Sequence, residues 1–297
     1  MALMLVRTPM LEIACTITGP QDGLPVILLP GFPYGARDYD MVAPILAAEG
    51  WRVVVPSLRG HGATRFLRED TPRSGQQAAL GQDLLDLMDA LAIPRAVVGG
   101  YDWGGRAACI VAALHPERVA GLVTGTGYNI QDIAGSAAPG LPAQELRHWY
   151  QWYFHTERGA CAMRETPADV NLLLWQMWSP DWNFSDAEFL ETAADWTNPD
   201  YAAVVIHSYR HRHRAAAGDP AYDAMEAALA AQPLITVPTV VLHGESDGVS
   251  PPESSEHCQR HFTGPFAREV IPAVGHCIPR EAPEVFAAAV RVFGSGA

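Results

Sequence analysis

Lysine is absent from the 297-residue sequence, so all 20 basic residues are arginine, and acidic residues outnumber them at 33. The formal net charge of −13 at pH 7 disfavours nucleic acid and anionic membrane as partners, because both require a basic surface. No run approaches the roughly 20 apolar residues of a membrane span. The apolar start of the chain is also too short for the core of a signal peptide. The sequence therefore predicts a cytoplasmic protein.

Cysteine is sparse and shows no organising pattern. The five cysteines are odd in number, scattered and never spaced as Cys-x-x-Cys, so we expect neither a disulfide framework nor a zinc site. His207, His211 and His213 stand close together, but they are interspersed with arginines that disfavour a bound cation. We interpret that segment as a solvated basic helix end. The sequence predicts no metal and no cofactor.

Short β-rich runs alternate with helical spacing of apolar residues, which is typical of an α/β protein with a mostly parallel sheet. Strands are predicted over residues 11–18, 25–29, 52–56, 96–101, 119–124, 239–243 and 268–271. Helices are predicted over residues 39–48, 76–91, 105–115 and 283–293.

The alternation stops near Tyr128 and resumes at Ile235. The segment between them has helical patterns, many aromatic residues and no clear strand. A helical block inserted between two strands is expected to cover the site at the carboxyl ends of the strands, where open α/β sheets bind ligands. We therefore predict a core of residues 1–128 and 234–297, with a helical cap of residues 129–233.

The most specific motif follows the strand predicted over 96–101, where Gly-Tyr-Asp-Trp-Gly at residues 100–104 precedes a predicted helix. Glycine at both ends permits a sharp turn, because side chains there would collide with the neighbouring strand and helix. The arrangement resembles the nucleophile elbow of α/β-hydrolases, in which the central residue is usually serine. Here the central residue is Asp102.

A carboxylate at this position changes the expected chemistry. Its reference pKa is roughly 4, so near neutral pH it is ionised and can attack an sp³ carbon without a base. The product is an alkyl ester of the enzyme, which water can hydrolyse, whereas the corresponding serine ether would be inert. Asp102 therefore favours epoxide opening or halide displacement over ordinary ester hydrolysis.

Two later residues, an acid and a histidine, follow the nucleophile in the chain order that α/β-hydrolases share. Asp247 lies in the loop after the strand predicted over 239–243, and His276 follows the strand predicted over 268–271. We expect His276 to act as general base toward water, and Asp247 to fix its tautomer and stabilise the imidazolium. Glu245 is the alternative acid.

Hydrolysis of the ester passes through an oxyanion that needs two backbone N–H donors. Trp103, directly after Asp102, is predicted to supply one of them. The second donor is predicted to be the amide of Phe32, within Pro-Gly-Phe-Pro at residues 30–33.

These motifs together resemble the epoxide hydrolase branch of the α/β-hydrolases over nearly the whole chain. The elbow matches that family's Gly-x-Asp-Trp-Gly-Gly, although Pro30 replaces the first histidine of its His-Gly-x-Pro loop. The resemblance implies two cap tyrosines that donate to the epoxide oxygen. It places them at Tyr150 and Tyr209, with Tyr153 as the alternative to the first. The implied reaction is cofactor-independent hydrolysis of an epoxide to a vicinal diol, and the cap aromatics suggest an apolar or aryl substrate.

Haloalkane or haloacetate dehalogenase is the alternative function, because those enzymes share the aspartate nucleophile. Haloalkane dehalogenases share Asp-Trp at the elbow, and the indole of Trp103 could bind halide, but many have asparagine where this chain has Phe32. Fluoroacetate dehalogenases resemble Asp-Arg-Gly-x-Arg. Arg106 matches their second arginine, but Trp103 replaces the first, which would leave a carboxylate clamp half built.

A non-catalytic binding protein of the same fold is a third class, and it would be expected to lack a triad member. None is missing here. The sequence leaves both a monomer and a homodimer open.

Overall fold

The computed structural model describes residues 2–294, except for the side chain of Ala2. The strands are Ala2–Arg7 (β1), Leu11–Thr18 (β2), Leu24–Leu29 (β3), Trp51–Pro56 (β4), Arg65–Phe66 (β5), Ala96–Gly100 (β6), Val119–Gly125 (β7), Thr239–Gly244 (β8) and Phe266–Ile271 (β9). They form one sheet of nine strands in the order β1-β2-β4-β3-β6-β7-β8-β9, with β5 paired to β2. β2 pairs antiparallel with β1, β4 and β5, and the remaining pairs are parallel.

Helices pack on both faces of this sheet, and further helices fill the stretch between β7 and β8. They are Val42–Ala48 (α1), Gln77–Ala90 (α2), Asp102–Leu114 (α3), Pro142–Arg147 (α4), Trp149–His155 (α5), Glu157–Glu165 (α6), Pro167–Trp178 (α7), Asp186–Ala193 (α8), Tyr201–Arg212 (α9), Asp223–Ala230 (α10), Ile278–Glu281 (α11) and Pro283–Arg291 (α12). Successive residues of β3 point to opposite faces. Val26 packs in the layer with α1 and α12, and Ile27 packs in the layer with α2 and α3. The predicted α/β-hydrolase fold is confirmed.

The strand order brings together the two chain segments that follow the carboxyl ends of β3 and β6. β3 lies between β4 and β6, so the connections after β3 and after β6 run in opposite directions from a topological switch point. Leu29, at the end of β3, pairs with Gly100, at the end of β6. Ligands bind at such a point, outside the carboxyl ends of the strands. Phe32 follows the end of β3, and Asp102 follows the end of β6.

All seven predicted strands are present, and the largest shift is at β9, which begins at Phe266. The helix predicted from residue 39 begins instead at Val42, after a 3₁₀ turn over Ala36–Tyr39. The sequence did not predict β1 or the two-residue β5. β1 is apolar along almost its whole length and lies at the sheet's edge with Leu3 and Leu5 exposed, so it lacks the alternation that indicates a strand with one buried face.

Between β7 and β8, a stretch that the structure describes completely, the chain forms α4–α10 and no strand. Trp175 is central to the packing there, since its ring lies 5.1 Å from Trp182, 5.2 Å from Phe184 and 5.4 Å from Phe189 between centroids. The division into a core and a cap at residues 129 and 233 stays a prediction. Among residues 2–294, no helix has the length and apolar character needed to cross a membrane.

Candidate active site

Asp102 begins α3 on a sharp turn with a backbone φ of 50°. A Cβ on Gly104 would lie 2.1 Å from the Leu29 carbonyl oxygen, and a Cβ on Gly100 would lie 2.6 Å from the Gly104 carbonyl carbon. The close approach expected from the two glycines is therefore present. A non-glycine residue at positive φ is strained by about 1–3 kcal/mol and persists only where its surroundings fix it.

The side chains of Asp102, His276 and Asp247 form a buried chain of contacts. His276 Nδ1 donates to Asp247 Oδ2 at 2.8 Å, and His276 Nε2 lies 3.7 Å from Asp102 Oδ2. Asp247 Oδ1 accepts from the backbone amides of Val249 and Ser250, at 2.7 and 3.0 Å. These bonds fix the carboxylate that orients the imidazole. The structure thus brings the three predicted residues together.

Glu245, the alternative acid, lies outside this arrangement. Its side chain is exposed and accepts from the amide of Ala273 at 3.3 Å. Asp247 occupies the position beside His276 instead.

The other oxygen of Asp102 faces the loop after β3. The Phe32 amide donates to Asp102 Oδ1 at 2.9 Å. The Trp103 amide is the second N–H of α3, and the first four N–H groups of a helix lack intrahelical acceptors. Oδ1 therefore lies against the predicted oxyanion donor, and Oδ2 faces His276.

Opposite charges hold Asp102 and His276 in their ionised forms. Burial acts to raise the pKa of Asp102, but His276, Arg106 and the Phe32 amide outweigh it and keep that pKa below its ordinary value. Burial acts to lower the pKa of His276, but Asp247 and Asp102 outweigh it and raise that pKa to about 10. The resting pair is a carboxylate beside an imidazolium.

Tyr150 of α5 and Tyr209 of α9 contact each other close to the triad. Both are buried, and their ring centroids lie 5.4 Å apart. The Tyr209 ring packs 5.4 Å from the Phe32 ring. Burial raises the pKa of Tyr150 to about 12, although Arg212 opposes the shift, and burial also raises the pKa of Tyr209. Both phenols therefore keep their protons at neutral pH.

Tyr153, the alternative to Tyr150, is only half buried. Its ring packs against Trp149 at 5.9 Å between centroids. The structure thus brings Tyr150, and not Tyr153, against Tyr209.

The structure also adds residues that the sequence did not single out. Trp178 ends α7, and its ring packs 5.0 Å from Tyr150 and 5.3 Å from His276. The indole nitrogens of Trp178 and Trp103 are both buried and have no hydrogen-bond acceptor within the described part of the chain. Nothing in the sequence around Trp178 indicated this position, because it depends on how α7 packs over the core.

Arg212 corrects the interpretation of the segment around His207 and His213 as a solvated helix end. It is 9% exposed, and its guanidinium carbon lies 4.2 Å above the Tyr209 ring. His207 is half buried and accepts from the Gly75 amide at 3.0 Å. The sequence signal for Arg212 was its position three residues after Tyr209, which puts both on one face of α9.

Over residues 2–294, no group of three potential metal-binding side chains occurs.

Comparison with known proteins places the chain among hydrolases. A family model described as the alpha/beta hydrolase fold matches residues 25–283. The crystal structure of a proposed epoxide hydrolase from Klebsiella pneumoniae is 44% identical, with a TM-score of 0.95, and the match covers 98% of this chain and 96% of that one.

Curated relatives match over shorter regions. Epoxide hydrolase B of Mycobacterium tuberculosis is 32% identical over 155 residues, which cover 47% of this chain and 42% of that protein. A haloalkane dehalogenase of Mycobacterium marinum is 34% identical over 124 residues, which cover 41% of this chain and 40% of that protein. The matched region thus spans less than half the length of both proteins.

The chain belongs to the α/β-hydrolase fold family, since the family model covers most of its length. It is a hydrolase by family, and the relatives that it resembles include proteins named epoxide hydrolase and haloalkane dehalogenase.

Proposed function

We propose that the protein is an epoxide hydrolase that converts an epoxide to a vicinal diol through an ester on Asp102. The observation that carries this proposal is the pair of buried phenols, Tyr150 and Tyr209, which contact each other. The Tyr209 ring also packs on Phe32, whose amide donates to the Asp102 carboxylate. Epoxide opening needs a carboxylate on one side of the ring and a proton donor on the other.

In the first step, Asp102 Oδ2 attacks a ring carbon and the bond between that carbon and the epoxide oxygen breaks. The developing alkoxide takes a proton from Tyr150 or Tyr209. Oδ1 becomes the ester carbonyl and stays on the Phe32 amide, with which it is already bonded. No base is required, because Asp102 is ionised from the start.

In the second step, His276 removes a proton from water, and the water oxygen attacks the ester carbon of Asp102. The tetrahedral oxyanion at Oδ1 is stabilised by the amides of Phe32 and Trp103. Its collapse breaks the bond to the diol oxygen, which takes the proton from His276, and the carboxyl left on Asp102 then passes its own proton to His276 and restores the resting pair. Esterification removes the charge of Asp102, which lowers the pKa of His276 because that charge helps to raise it. The imidazolium then returns a proton to the tyrosinate left by the first step, which restores the phenol and leaves a neutral imidazole to act as the base.

A dehalogenase is the second candidate, and the indoles of Trp103 and Trp178 favour it. Both nitrogens are buried donors with no acceptor anywhere in residues 2–294. Two N–H donors beside a nucleophilic carboxylate can bind a departing halide. The two functions differ in the first step, since an alkoxide must be protonated and a halide need not be.

The discriminating experiment is a paired assay of the purified protein. We expect diol from terminal and aryl epoxides, and no halide from haloalkanes or haloacetates above the rate without enzyme. Halide release without diol formation would overturn the proposal in favour of the dehalogenase.

Replacing Tyr150 and Tyr209 together with Phe should slow epoxide opening by about 10²–10⁴-fold, the usual contribution of a general acid. Either single variant should lose less, because one phenol remains. Tyr153→Phe is the matched control and should keep the wild-type rate, since Tyr153 packs on Trp149. Diol formation at the wild-type rate by the double variant would show that these tyrosines do not protonate the alkoxide.

Replacing Trp103 and Trp178 with Phe tests the second candidate. If halide is the leaving group, each lost N–H donor should slow its release roughly 10- to 100-fold, as expected for a hydrogen bond to a charged group. If the substrate is an epoxide, the double variant should retain diol formation, because the Trp103 amide and both tyrosines remain. Initial rates of diol and halide formation on the same preparations separate these outcomes.

A further inference from the structure

Two arginines beside the triad are buried without a partner. Arg106 is 6% exposed and Arg212 is 9% exposed. Nε and Nη1 of Arg106, and Nε and Nη2 of Arg212, have no hydrogen-bond acceptor among the described residues. Within residues 2–294, neither guanidinium lies within 4.0 Å of a carboxylate oxygen, whereas those of Arg59 and Arg280 do. Burying an unpaired charge is costly, so such groups usually serve a ligand.

The other deeply buried arginines of this fold are paired. Arg59 donates to both oxygens of Asp83, at 2.7 and 2.6 Å. Arg280 donates from Nε to Asp38 at 3.0 Å. Among the deeply buried arginines of residues 2–294, the lack of partners is therefore particular to the two at the active site.

Both arginines lie near groups of the active site. Arg106 lies one helical turn after Asp102 on α3, which puts the two side chains on the same face of the helix. Arg212 comes from α9 with its guanidinium over the Tyr209 ring. Burial, followed by the charge of Arg212, lowers the pKa of Arg106 to about 10. The two like charges thus repel one another.

Arg106 and Arg212 thus place two guanidinium groups near the triad with buried N–H donors that no acceptor in residues 2–294 satisfies. An anion bound between them would satisfy these donors. A carboxylate suits the site, because each of its oxygens can accept from a guanidinium fork.

We propose that Arg106 and Arg212 form a subsite that binds a carboxylate of the substrate, so that the epoxide opened by Asp102 belongs to a short epoxy acid. This inference rests on the proposed function, because it names the substrate class of that site. Side chains one helical turn apart have Cβ atoms roughly 5–6 Å from each other. The carboxylate must therefore lie only a few bonds from the carbon that Asp102 attacks.

This substrate differs from the apolar or aryl epoxide expected from the cap aromatics. Many of those aromatics contact one another, as the packing of Trp182, Phe184 and Phe189 around Trp175 illustrates. They account for the stability of the helical segment and do not define the substrate. The arginines also offset the repulsion between an anionic substrate and the Asp102 carboxylate.

The test compares two substrates of nearly equal shape, oxirane-2-carboxylate and the neutral oxirane-2-carboxamide. We expect the wild-type protein to have a kcat/KM for the carboxylate at least 10-fold higher, roughly the value of one charged hydrogen bond. Arg106→Met and Arg212→Met should each reduce that kcat/KM by roughly 10- to 100-fold, mainly through KM, as expected for the loss of charged hydrogen bonds. Both should change the carboxamide value much less.

Arg158→Met is the matched control, since Arg158 is an exposed arginine on α6, and it should keep the wild-type preference. Equal losses on both substrates in the Arg106 and Arg212 variants would show that the arginines act only on Asp102. That result would overturn the subsite.

A second measurement needs no turnover. Glycerate, the diol that oxirane-2-carboxylate would give, should raise the melting temperature of the wild-type protein at millimolar concentration, whereas glycerol should not. The double Met variant should lose this response. Without ligand it should melt no lower than the wild type, since two unpaired buried charges have been removed.

The outcomes separate the inference from the proposed function. Diol formation without a preference for the carboxylate substrate would contradict the carboxylate subsite and remain consistent with the epoxide hydrolase proposal. Release of halide from haloacetate but not from haloacetamide, with no diol from any epoxide, would contradict the epoxide hydrolase proposal and support the carboxylate subsite. If the Met variants fail to fold, the wild-type preference and the glycerate response still decide the matter.

Discussion

Asp102→Asn should abolish turnover, with a loss on the order of 10⁴- to 10⁶-fold, as for removal of the nucleophile in other covalent hydrolases. An amide is a far weaker nucleophile than a carboxylate, and no ester can form at this position without one. Asparagine is the better replacement because it tolerates the positive φ of 50° at this turn, whereas alanine would be strained. The measurement is diol formation under conditions in which the wild type completes many turnovers.

The control for this loss is the folded state. Gly100 and Gly104 permit the elbow, and the carbonyl oxygen of the introduced asparagine can still accept from the Phe32 amide, as Asp102 Oδ1 does. Thermal unfolding should therefore stay cooperative for Asp102→Asn, and Asp102→Ala should be less stable but equally inactive. Diol formation above about 1% of the wild-type rate by either folded variant would contradict a covalent role for Asp102, given the magnitude expected.

The parts of the fold and site that the sequence predicts depend on local chemistry. Gly100 and Gly104 indicate the elbow because their own positions exclude side chains. The order of Asp102, Asp247 and His276 is readable because each follows a strand, and parallel strands end at one edge of the sheet. For these residues, local pattern and global fold agree.

The parts that the sequence does not predict depend on contacts between distant segments. Trp178 reaches Tyr150 and His276 only through the packing of α7, which no local pattern encodes. Arg212 looks like a surface residue, since it stands among histidines and other arginines. Its burial follows from the way α9 lies over the nucleophile. A charged residue among polar neighbours is normally exposed, so only the structure reveals the exception.

His276→Gln should separate the two half-reactions. The first step requires only the Asp102 carboxylate and the cap phenols, so the variant should still be alkylated. The second step loses its general base and should slow by about 10²–10⁴-fold, so the ester should accumulate. Intact-protein mass spectrometry after brief incubation would show the adduct, and peptide mapping should place it on Asp102. An epoxide adds its full mass, whereas a haloalkane adds its mass minus that of hydrogen halide.

The same variant makes a prediction about pH. In the wild type, the imidazolium of His276 helps to hold the pKa of Asp102 below its ordinary value, so the carboxylate stays ionised in acid. Without that cation, the buried carboxyl has a higher pKa, and alkylation should require a higher pH than in the wild type. Rapid-quench measurement of adduct formation from about pH 3, below the reference pKa of a carboxyl, to about pH 8 would show this shift. Asp247→Asn, which leaves the imidazole beside Asp102, is the comparison variant, and its alkylation should keep more of the wild-type tolerance to acid. If wild-type enzyme turns over a substrate that leaves no adduct on His276→Gln at any pH, water attacks the substrate directly and the covalent mechanism is wrong.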